Sequence, residues 1–182
     1  MRTVLVLLAP GFEEIETITV VDILRRAGAR VTLAGTEKGP LKGSRGVHVL
    51  TDDLLENLLE TEFDMVVLPG GQPGTDNLKK DARVKQLLGK MNLAGKKIAA
   101  ICAAPLILKE AGIIGKLCVT SHPSVKGDMK GISYSEDRMV VDGNMITSKS
   151  PGTAMEFSLK LVEILFGQKR MELVNEGILA KI

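Results

Sequence analysis

Short apolar runs of strand length alternate along the chain with longer stretches whose apolar residues recur at helical spacing. The first run, Val4 to Ala9, is continuously apolar, as expected of a strand buried on both faces of a parallel sheet. Pro10-Gly11 ends this run, and a helical pattern then extends from Glu13 to Ala27 and stops at Gly28. The same alternation continues along the chain. The predicted strands are Val4–Ala9, Val31–Ala34, Val47–Leu50, Phe63–Leu68, Lys97–Cys102 and Leu117–Ser121.

Helical stretches and one hairpin complete the pattern. The predicted helices are Glu13–Ala27, Leu54–Leu59, Asp76–Met91, Ala104–Ala111, Gly152–Phe166 and Lys169–Leu179. Gly143-Asn144, between the apolar runs Arg138–Asp142 and Met145–Ser148, favours a tight β-hairpin. Ser150-Pro151 indicates a helix N-cap followed by proline, and Gly35–Gly46 a loop or a short β excursion. We therefore predict one α/β domain over residues 1–182, with a mostly parallel sheet, helices on both faces and an added hairpin.

The composition limits the functions that this domain is expected to have. Of the 182 residues, 45% are hydrophobic and 25% charged, which argues against disorder, and no uncharged apolar window of about 18 residues could span a membrane. The 24 Lys and Arg residues are interspersed with 22 Asp and Glu, and only 3% of residues are aromatic, so nucleic-acid binding is not expected. The two cysteines form no CxxC pair, which argues against a disulfide framework and a zinc site and favours a reducing cytoplasm.

Four strand ends are the expected location of the site, because ligands of open parallel sheets bind beyond the carboxyl ends of the strands. They are Pro10-Gly11, Pro69-Gly70-Gly71, Cys102-Ala103-Ala104-Pro105 and Thr120-Ser121-His122-Pro123. None carries the GxGxxG or GxxxxGK[ST] pattern of a nucleotide site, and no histidine pair has metal-ligand spacing. The sequence therefore predicts a site that uses no cofactor and no metal.

Cys102 is the candidate nucleophile, because it stands where a buried strand turns into a helix among small residues. A thiol at a helix N-terminus should be stabilised as thiolate, with a pKa below the ordinary value of about 8.5. The alternative is a buried cysteine that packs as a small hydrophobe. Cys118, inside an apolar run, is expected to pack in the core.

Glu16 is the candidate partner of that thiol. In the first predicted helix it shares the apolar face of Val20, Ile23, Leu24 and Ala27. A carboxyl group on this face should be desolvated, and its pKa should rise. It could then stay protonated and donate a hydrogen bond to a nearby thiolate.

Both a structural and a functional interpretation exist for four other positions near the strand ends: Glu13, Gly70, Gly71 and His122. Glu13 and Glu14 suit the first turn of a helix, although Glu13 is also close enough to reach the site. Gly70 and Gly71 suit a tight turn, or they could direct N–H groups at an oxyanion. His122 could act as acid, base or substrate ligand, or it could be an ordinary surface histidine.

Five motifs in order resemble the ThiJ/PfpI superfamily, in its DJ-one-like branch. They are Gly11-Phe12-Glu13-Glu14-Ile15-Glu16, Leu68-Pro69-Gly70-Gly71, Ala99-Ala100-Ile101-Cys102-Ala103-Ala104-Pro105, Ser121-His122-Pro123 and Ser150-Pro151-Gly152-Thr153. The resemblance implies a flavodoxin-like three-layer sandwich, a homodimer, a reactive cysteine in an elbow and a protonated glutamate hydrogen-bonded to it.

The resemblance also implies which residues form the site. These are the nucleophile Cys102, its acid partner Glu16, the backbone donors Gly70, Gly71 and Ala103, the site histidine His122 and, as a weaker candidate, Arg45, which would come from the partner subunit. Glu13, which is close to Glu16, and Pro151 are further weak candidates. One feature departs from the pattern. The PfpI branch has a histidine directly after the cysteine, whereas this chain has Ala103, which lowers the expectation of peptidase chemistry.

Two functions need the same thiolate and stay open at this point. The first is a cofactor-independent glyoxalase or protein deglycase acting on methylglyoxal, glyoxal or their adducts, as the resemblance implies. The second is a redox-sensing chaperone whose cysteine oxidises to sulfinate. An intracellular cysteine peptidase of the PfpI type ranks below both, and a binding module with an inert thiol is the simplest alternative.

Overall fold

The structure, a computed structural model, describes residues 1–180 and contains eleven strands, seven α-helices and two 3₁₀ helices within them. The strands are β1 (Thr3–Leu8), β2 (Arg30–Gly35), β3 (Leu41–Lys42), β4 (His48–Val49), β5 (Asp53–Leu54), β6 (Met65–Leu68), β7 (Lys97–Ile101), β8 (Cys118–Val119), β9 (Ser133–Tyr134), β10 (Met139–Asp142) and β11 (Met145–Ser148). The α-helices are α1 (Glu14–Arg26), α2 (Leu55–Leu58), α3 (Gly74–Lys80), α4 (Ala82–Leu93), α5 (Pro105–Glu110), α6 (Ala154–Phe166) and α7 (Gln168–Ile178). The 3₁₀ helices are Pro123–Met129 and Pro151–Thr153.

Seven strands form the central sheet, in the order β10-β11-β7-β6-β1-β2-β5. All neighbouring pairs are parallel except β10 and β11, which form the predicted hairpin. The winding direction reverses beside β1, since β2 lies on one side of it and β6 on the other. The carboxyl ends of β1, β6 and β7 therefore meet at one edge of the sheet, where a ligand site is expected.

Two apolar cores cover the two faces of this sheet. Along β1, Leu5 and Leu7 contribute to the core under α2 to α5, whereas Val4 and Val6 contribute to the core under α1, α6 and α7. This alternation follows from the two-residue period of a strand, and it explains why the run is apolar throughout. The predicted three-layer α/β sandwich with its added hairpin is confirmed.

The predicted helix Asp76–Met91 is wrong as a single element, because the chain forms α3 and α4 instead. Asp81 between them is extended, with φ −78° and ψ 112°, and its carboxylate accepts the Arg83 N–H at 2.9 Å to begin α4. An aspartate N-cap inside a helical pattern therefore divides that pattern in two.

Two predicted strands lie outside the central sheet. Val47–Leu50 shortens to β4, which pairs with β3 in a separate antiparallel hairpin. Leu117–Ser121 shortens to β8, which pairs with the unpredicted β9, because β11 already occupies the position beside β7.

None of the helices within residues 1–180 has the length and apolar character needed to cross a membrane.

Asp64 connects the start of β1 to the start of β6. Its carboxylate accepts hydrogen bonds from the Thr3 N–H at 2.9 Å and the Thr3 hydroxyl at 3.3 Å, and Arg2 lies 3.5 Å away. The Thr3 N–H is the main reason why the pKa of this carboxyl lies below its ordinary value. Asp22 pairs with Arg26 at 3.0 Å, but both side chains are about half exposed.

We expect Asp64→Ala to lower the free energy of unfolding by about 1 to 2 kcal/mol at pH 7, because the Thr3 N–H loses its acceptor. The folded pKa of Asp64 lies below its unfolded value. The difference in free energy of unfolding between wild type and Asp64→Ala is therefore complete above about pH 4 and declines as the pH falls through the folded pKa. Urea denaturation between acidic and neutral pH measures this difference. Asp22→Ala is the control and should change stability by less than about 0.5 kcal/mol. Equal losses for the two variants would contradict the assignment.

Candidate active site

Cys102 lies in the sharp turn that joins β7 to α5. Its φ of 65° is in the left-handed region, which costs a non-glycine residue about 1 to 2 kcal/mol. Two hydrogen bonds hold this backbone in place: the Cys102 N–H donates to the Ser148 carbonyl at 2.9 Å, and the Cys102 carbonyl accepts the His122 N–H at 2.8 Å. Segments on both sides of the elbow therefore fix the direction of its half-buried thiol.

Gly70 packs directly against the elbow. A Cβ atom placed on it would lie 2.7 Å from the Cys102 Cβ, 2.8 Å from Glu16 Oε2 and 3.0 Å from the Ala103 nitrogen. No side chain fits between these atoms, so glycine is required here for close approach. The absence of a side chain on Gly70 allows the thiol and the carboxyl to come together.

Glu16 lies beneath Cys102 and is completely buried. Its Oε2 accepts the Gly70 N–H at 2.7 Å, whereas its Oε1 has no hydrogen-bond partner within the described part of the chain. Burial, with a smaller contribution from the charge of Glu13, raises the pKa of Glu16 to about 7, although hydrogen bonds from Cys102 and Gly70 oppose the rise. The Cys102 thiol and the Glu16 carboxyl are thus within hydrogen-bonding reach of each other, and a proton on the carboxyl would allow it to donate.

The thiol and the carboxyl oppose each other's ionisation. Burial, followed by the charge and hydrogen bond of Glu16, raises the pKa of the Cys102 thiol to about 12, against the N–H groups of Ala103 and Gly71. The predicted pKa below 8.5 is therefore wrong for a thiol beside an ionised Glu16. When Glu16 keeps the proton, its charge no longer opposes ionisation and its O–H can donate to the sulfur. Thiolate formation thus depends on the protonation of Glu16.

The expected backbone donors have different roles. The N–H groups of Gly71 and Ala103 approach the Cys102 sulfur and lower its pKa, as donors to an anion should. The Gly70 N–H instead donates to Glu16 Oε2. The prediction that Gly70 contributes to the oxyanion hole therefore needs correction: its N–H holds the acid in place.

His122 is the N-cap of the 3₁₀ helix Pro123–Met129. Its Nδ1 accepts the Ser124 N–H at 3.2 Å and lies 2.7 Å from the Ser124 hydroxyl, so the neutral ring carries its hydrogen on Nε2. At the other end of this helix, Lys109 donates to the carbonyls of Asp128 and Lys130. The segment that carries the histidine is therefore held at both ends.

A cavity of about 370 Å³ opens above the thiol. Its lining residues are Glu13, Ser44, Arg45, Gly71, Gln72, Cys102, Ala103, His122, Ser124, Val125 and Pro151. Glu13 also caps α1, accepting the Glu16 N–H at 2.7 Å. Arg45 lines the cavity of its own chain, so this contact needs no second subunit.

The structure thus brings the predicted site residues together, with Gly70 and Glu16 beneath the cavity. Sequence reasoning did not identify Ser44, Gln72, Ser124 and Val125, although Gln72 directly follows the glycine turn. No cluster of His, Cys, Asp or Glu within residues 1–180 could hold a metal ion. Cys118 is half buried in β8 and lies outside the cavity lining.

Comparisons with known proteins agree with this geometry. The family model described as the DJ-1/PfpI family matches residues 2–164. Protein dj-1beta of Drosophila melanogaster is 45% identical over 181 residues, covering 98% of this chain and 97% of the relative. Its crystal structure superposes with a TM-score of 0.96 at 44% identity, covering 98% of this chain and 97% of that one.

Two further relatives cover the full domain. The glutathione-independent glyoxalase DJR-1.2 of Caenorhabditis elegans is 39% identical over 184 residues, covering 99% of this chain and 98% of the relative. A structure described as oxidized DJ-1 of Toxoplasma gondii has a TM-score of 0.92 at 34% identity and covers 98% of both chains. With its flavodoxin-like fold and its elbow cysteine above a buried glutamate, this chain belongs to the DJ-1/PfpI family.

Proposed function

We propose that the protein is a cofactor-independent glyoxalase that converts 2-oxoaldehydes such as methylglyoxal or glyoxal into hydroxy acids. The observation that carries this proposal is the buried Oε1 of Glu16, which has no hydrogen-bond partner among residues 1–180 beside a strained cysteine. A relative named a glutathione-independent glyoxalase supports the same reaction class.

The reaction begins at the Cys102 sulfur. The thiolate attacks the aldehyde carbon, and the oxygen of the resulting hemithioacetal receives its negative charge next to the N–H groups of Gly71 and Ala103. The proton of Glu16 then passes to this oxygen. Glu16 is left as a carboxylate in a dry site, where it is a stronger base than in water.

Proton transfer between the two substrate carbons follows. The Glu16 carboxylate removes the hydrogen from the former aldehyde carbon and returns it as a proton to the neighbouring carbon. His122 gives its Nε2 proton to the ketone oxygen and takes up the proton of the hemithioacetal hydroxyl, so that the thioester carbonyl forms and the ring is restored. A pKa near 7 suits a group that both takes and gives a proton. Water then hydrolyses the thioester, which releases the hydroxy acid and restores the thiol. Protein deglycase activity would apply the same steps to adducts of these aldehydes.

Oxidation of Cys102 is a second candidate function, in a redox-sensing chaperone. The half-exposed sulfur faces two N–H groups, of Gly71 and Ala103, which would also stabilise a sulfenate or sulfinate anion. The Toxoplasma relative whose structure is described as oxidized supports this possibility. A reducing cytoplasm, which we propose as the location of the protein, would keep the thiol available for either function.

Peptidase activity of the PfpI type is not proposed. Ala103 replaces the histidine that would follow the cysteine, and His122 Nδ1 is occupied by Ser124.

We also propose that the protein forms a homodimer. Ile15 and Ile18 on α1 are 55% and 47% exposed, and Val47 and Leu50 in or beside the β3–β4 hairpin are 53% and 72% exposed. These segments adjoin, because the hairpin turn contacts the residues that precede α1. A second copy of the chain would remove this apolar surface from water.

The Glu16→Gln variant separates catalysis from thiol reactivity. Glutamine keeps a donor of similar shape but cannot release a proton, so we expect methylglyoxal turnover to fall by about two to four orders of magnitude. Peroxide oxidation of Cys102, which needs the thiolate only, should change much less. Lactate formation and sulfinate yield are measured on the same protein. Turnover within about threefold of wild type would contradict the acid/base role.

The Glu16→Asp variant should also lose turnover. Its shorter side chain keeps the acid but places it about one methylene too far from the sulfur and leaves a small cavity beneath the elbow. The assay is again lactate formation from methylglyoxal. Full activity in this variant would show that the position of the acid is not critical.

The raised pKa of Glu16 predicts how stability depends on pH. The folded value of about 7 exceeds the ordinary value of 4.5, so the unfolded chain ionises first. The free energy of unfolding should therefore fall by roughly 3 kcal/mol as the pH rises from about 4.5 to 7, and then level off. Glu16→Gln should lack this decline in urea denaturation. If the free energy of unfolding declines equally in wild type and in Glu16→Gln, other titratable groups cause the decline.

Sedimentation tests the homodimer. We expect a species of twice the chain mass that dissociates on dilution, and Ile18→Glu should shift it towards monomer because a charge enters the apolar contact. Leu93→Glu is the control, since Leu93 ends α4 on the other side of the sheet and is 90% exposed. A monomer at every concentration would contradict the dimer and leave Arg45 acting only within its own chain.

A further inference from the structure

Arg45 carries an unpaired positive charge at the rim of the cavity. Its side chain lines the opening and is exposed, and within residues 1–180 its guanidinium makes no hydrogen bond or ion pair. The other charged group of the lining, Glu13, is buried at the floor, where its carboxylate accepts the Glu16 N–H. His122 is the remaining titratable side chain around the cavity besides the thiol. Within one chain, the cavity rim therefore has an unpaired cation among the described residues, and its floor has an acid that already accepts a hydrogen bond.

Glu14 holds the turn from which Arg45 projects. One carboxylate oxygen accepts the Arg45 N–H at 2.7 Å and the Val47 N–H at 3.3 Å, and the other accepts the Ser44 hydroxyl at 3.2 Å. Gly43 allows this contact, since a Cβ there would lie 2.4 Å from the carboxylate. The carboxyl is buried, yet these hydrogen bonds keep its pKa below the ordinary value. A glutamate expected only to complement a helix dipole thus fixes one wall of the cavity.

The cavity is larger than the simplest substrates need. Methylglyoxal and glyoxal would fill only a small part of about 370 Å³, and neither carries a negative charge for Arg45 to pair with. A longer 2-oxoaldehyde bound to Cys102 at the floor would extend towards the rim. A carboxylate at its far end would match the planar, two-pronged donor face of a guanidinium.

We propose that the site prefers 2-oxoaldehydes that carry a carboxylate, with Arg45 as the group that binds it; this inference rests on the proposed glyoxalase function. The reaction balances without any external oxidant or reductant. The aldehyde carbon is oxidised to an acid, the neighbouring ketone is reduced to an alcohol, and one water molecule is consumed. The product is a hydroxy diacid.

Two matched substrates test this preference. Dioxopentanoate (OHC–CO–CH₂CH₂–COO⁻) and oxopentanal (OHC–CO–CH₂CH₂–CH₃) differ only in the terminal group. We expect the wild type to have a larger kcat/KM for dioxopentanoate than for oxopentanal. Arg45→Gln should lower kcat/KM about tenfold for dioxopentanoate and less than about twofold for oxopentanal, while Arg45→Lys should lose less. The control Lys42→Gln removes an exposed charge from the same hairpin outside the cavity lining and should leave the ratio unchanged. Equal effects of Arg45→Gln on both aldehydes overturn the proposal.

Alkylation of Cys102 tests the same charge without turnover. Iodoacetate is an anion and iodoacetamide is neutral, and peptide mass spectrometry separates the Cys102 product from that of Cys118. The rate of iodoacetate divided by that of iodoacetamide at Cys102 should fall several-fold in Arg45→Gln, but not in Lys42→Gln. The difference between wild type and Arg45→Gln in this ratio should diminish at high salt. Turnover of oxopentanal with an unchanged ratio overturns the anion preference and leaves the glyoxalase proposal intact. A lower ratio with no turnover of either aldehyde overturns the glyoxalase proposal and keeps Arg45 as an anion-recognising residue.

Discussion

A single negative charge shared by the Cys102 thiol and the Glu16 carboxyl is the constraint on which the rest of the site depends. Burial raises the pKa of both groups, so this edge of the sheet does not hold two charges near neutral pH. Whichever group keeps the remaining proton can donate a hydrogen bond to the other. The chemistry of the site, whether nucleophilic attack or oxidation, is therefore decided by the position of that proton.

The fold brings these two groups together because the carboxyl ends of three parallel strands, β1, β6 and β7, lie side by side at one edge of the sheet. The elbow after β7 carries Cys102 at a strained φ, the helix after β1 carries Glu16, and the turn after β6 supplies Gly70. Gly70 contributes in two ways, because it leaves room for both side chains and its N–H holds Glu16 Oε2 at 2.7 Å. The N–H groups of Gly71 and Ala103 remain for the anion on the other side of the sulfur.

Much of this arrangement follows from local patterns in the sequence. The buried strands are continuous apolar runs, Cys102 ends one of them, and Glu16 interrupts an apolar helical face. The direction of the Cys102 pKa could not be predicted, because it depends on an acid from a different strand-helix unit. The hydrogen bonds of Glu14 to the Arg45 turn were missed for the same reason: an acid in a first helical turn has a sufficient local explanation. Long-range contacts of this kind leave no periodic signal.

Infrared difference spectroscopy on glutamate-labelled protein tests the central claim most directly. Two signals are followed against pH. The first is the infrared band of the protonated Glu16 carboxyl, which is identified by its loss in Glu16→Gln. The second is the ultraviolet absorbance of the Cys102 thiolate, which is identified by its loss in Cys102→Ser. We predict that both signals are present together at the pH of the proposed methylglyoxal turnover. An ionised Glu16 beside a neutral Cys102 thiol throughout that range would contradict it.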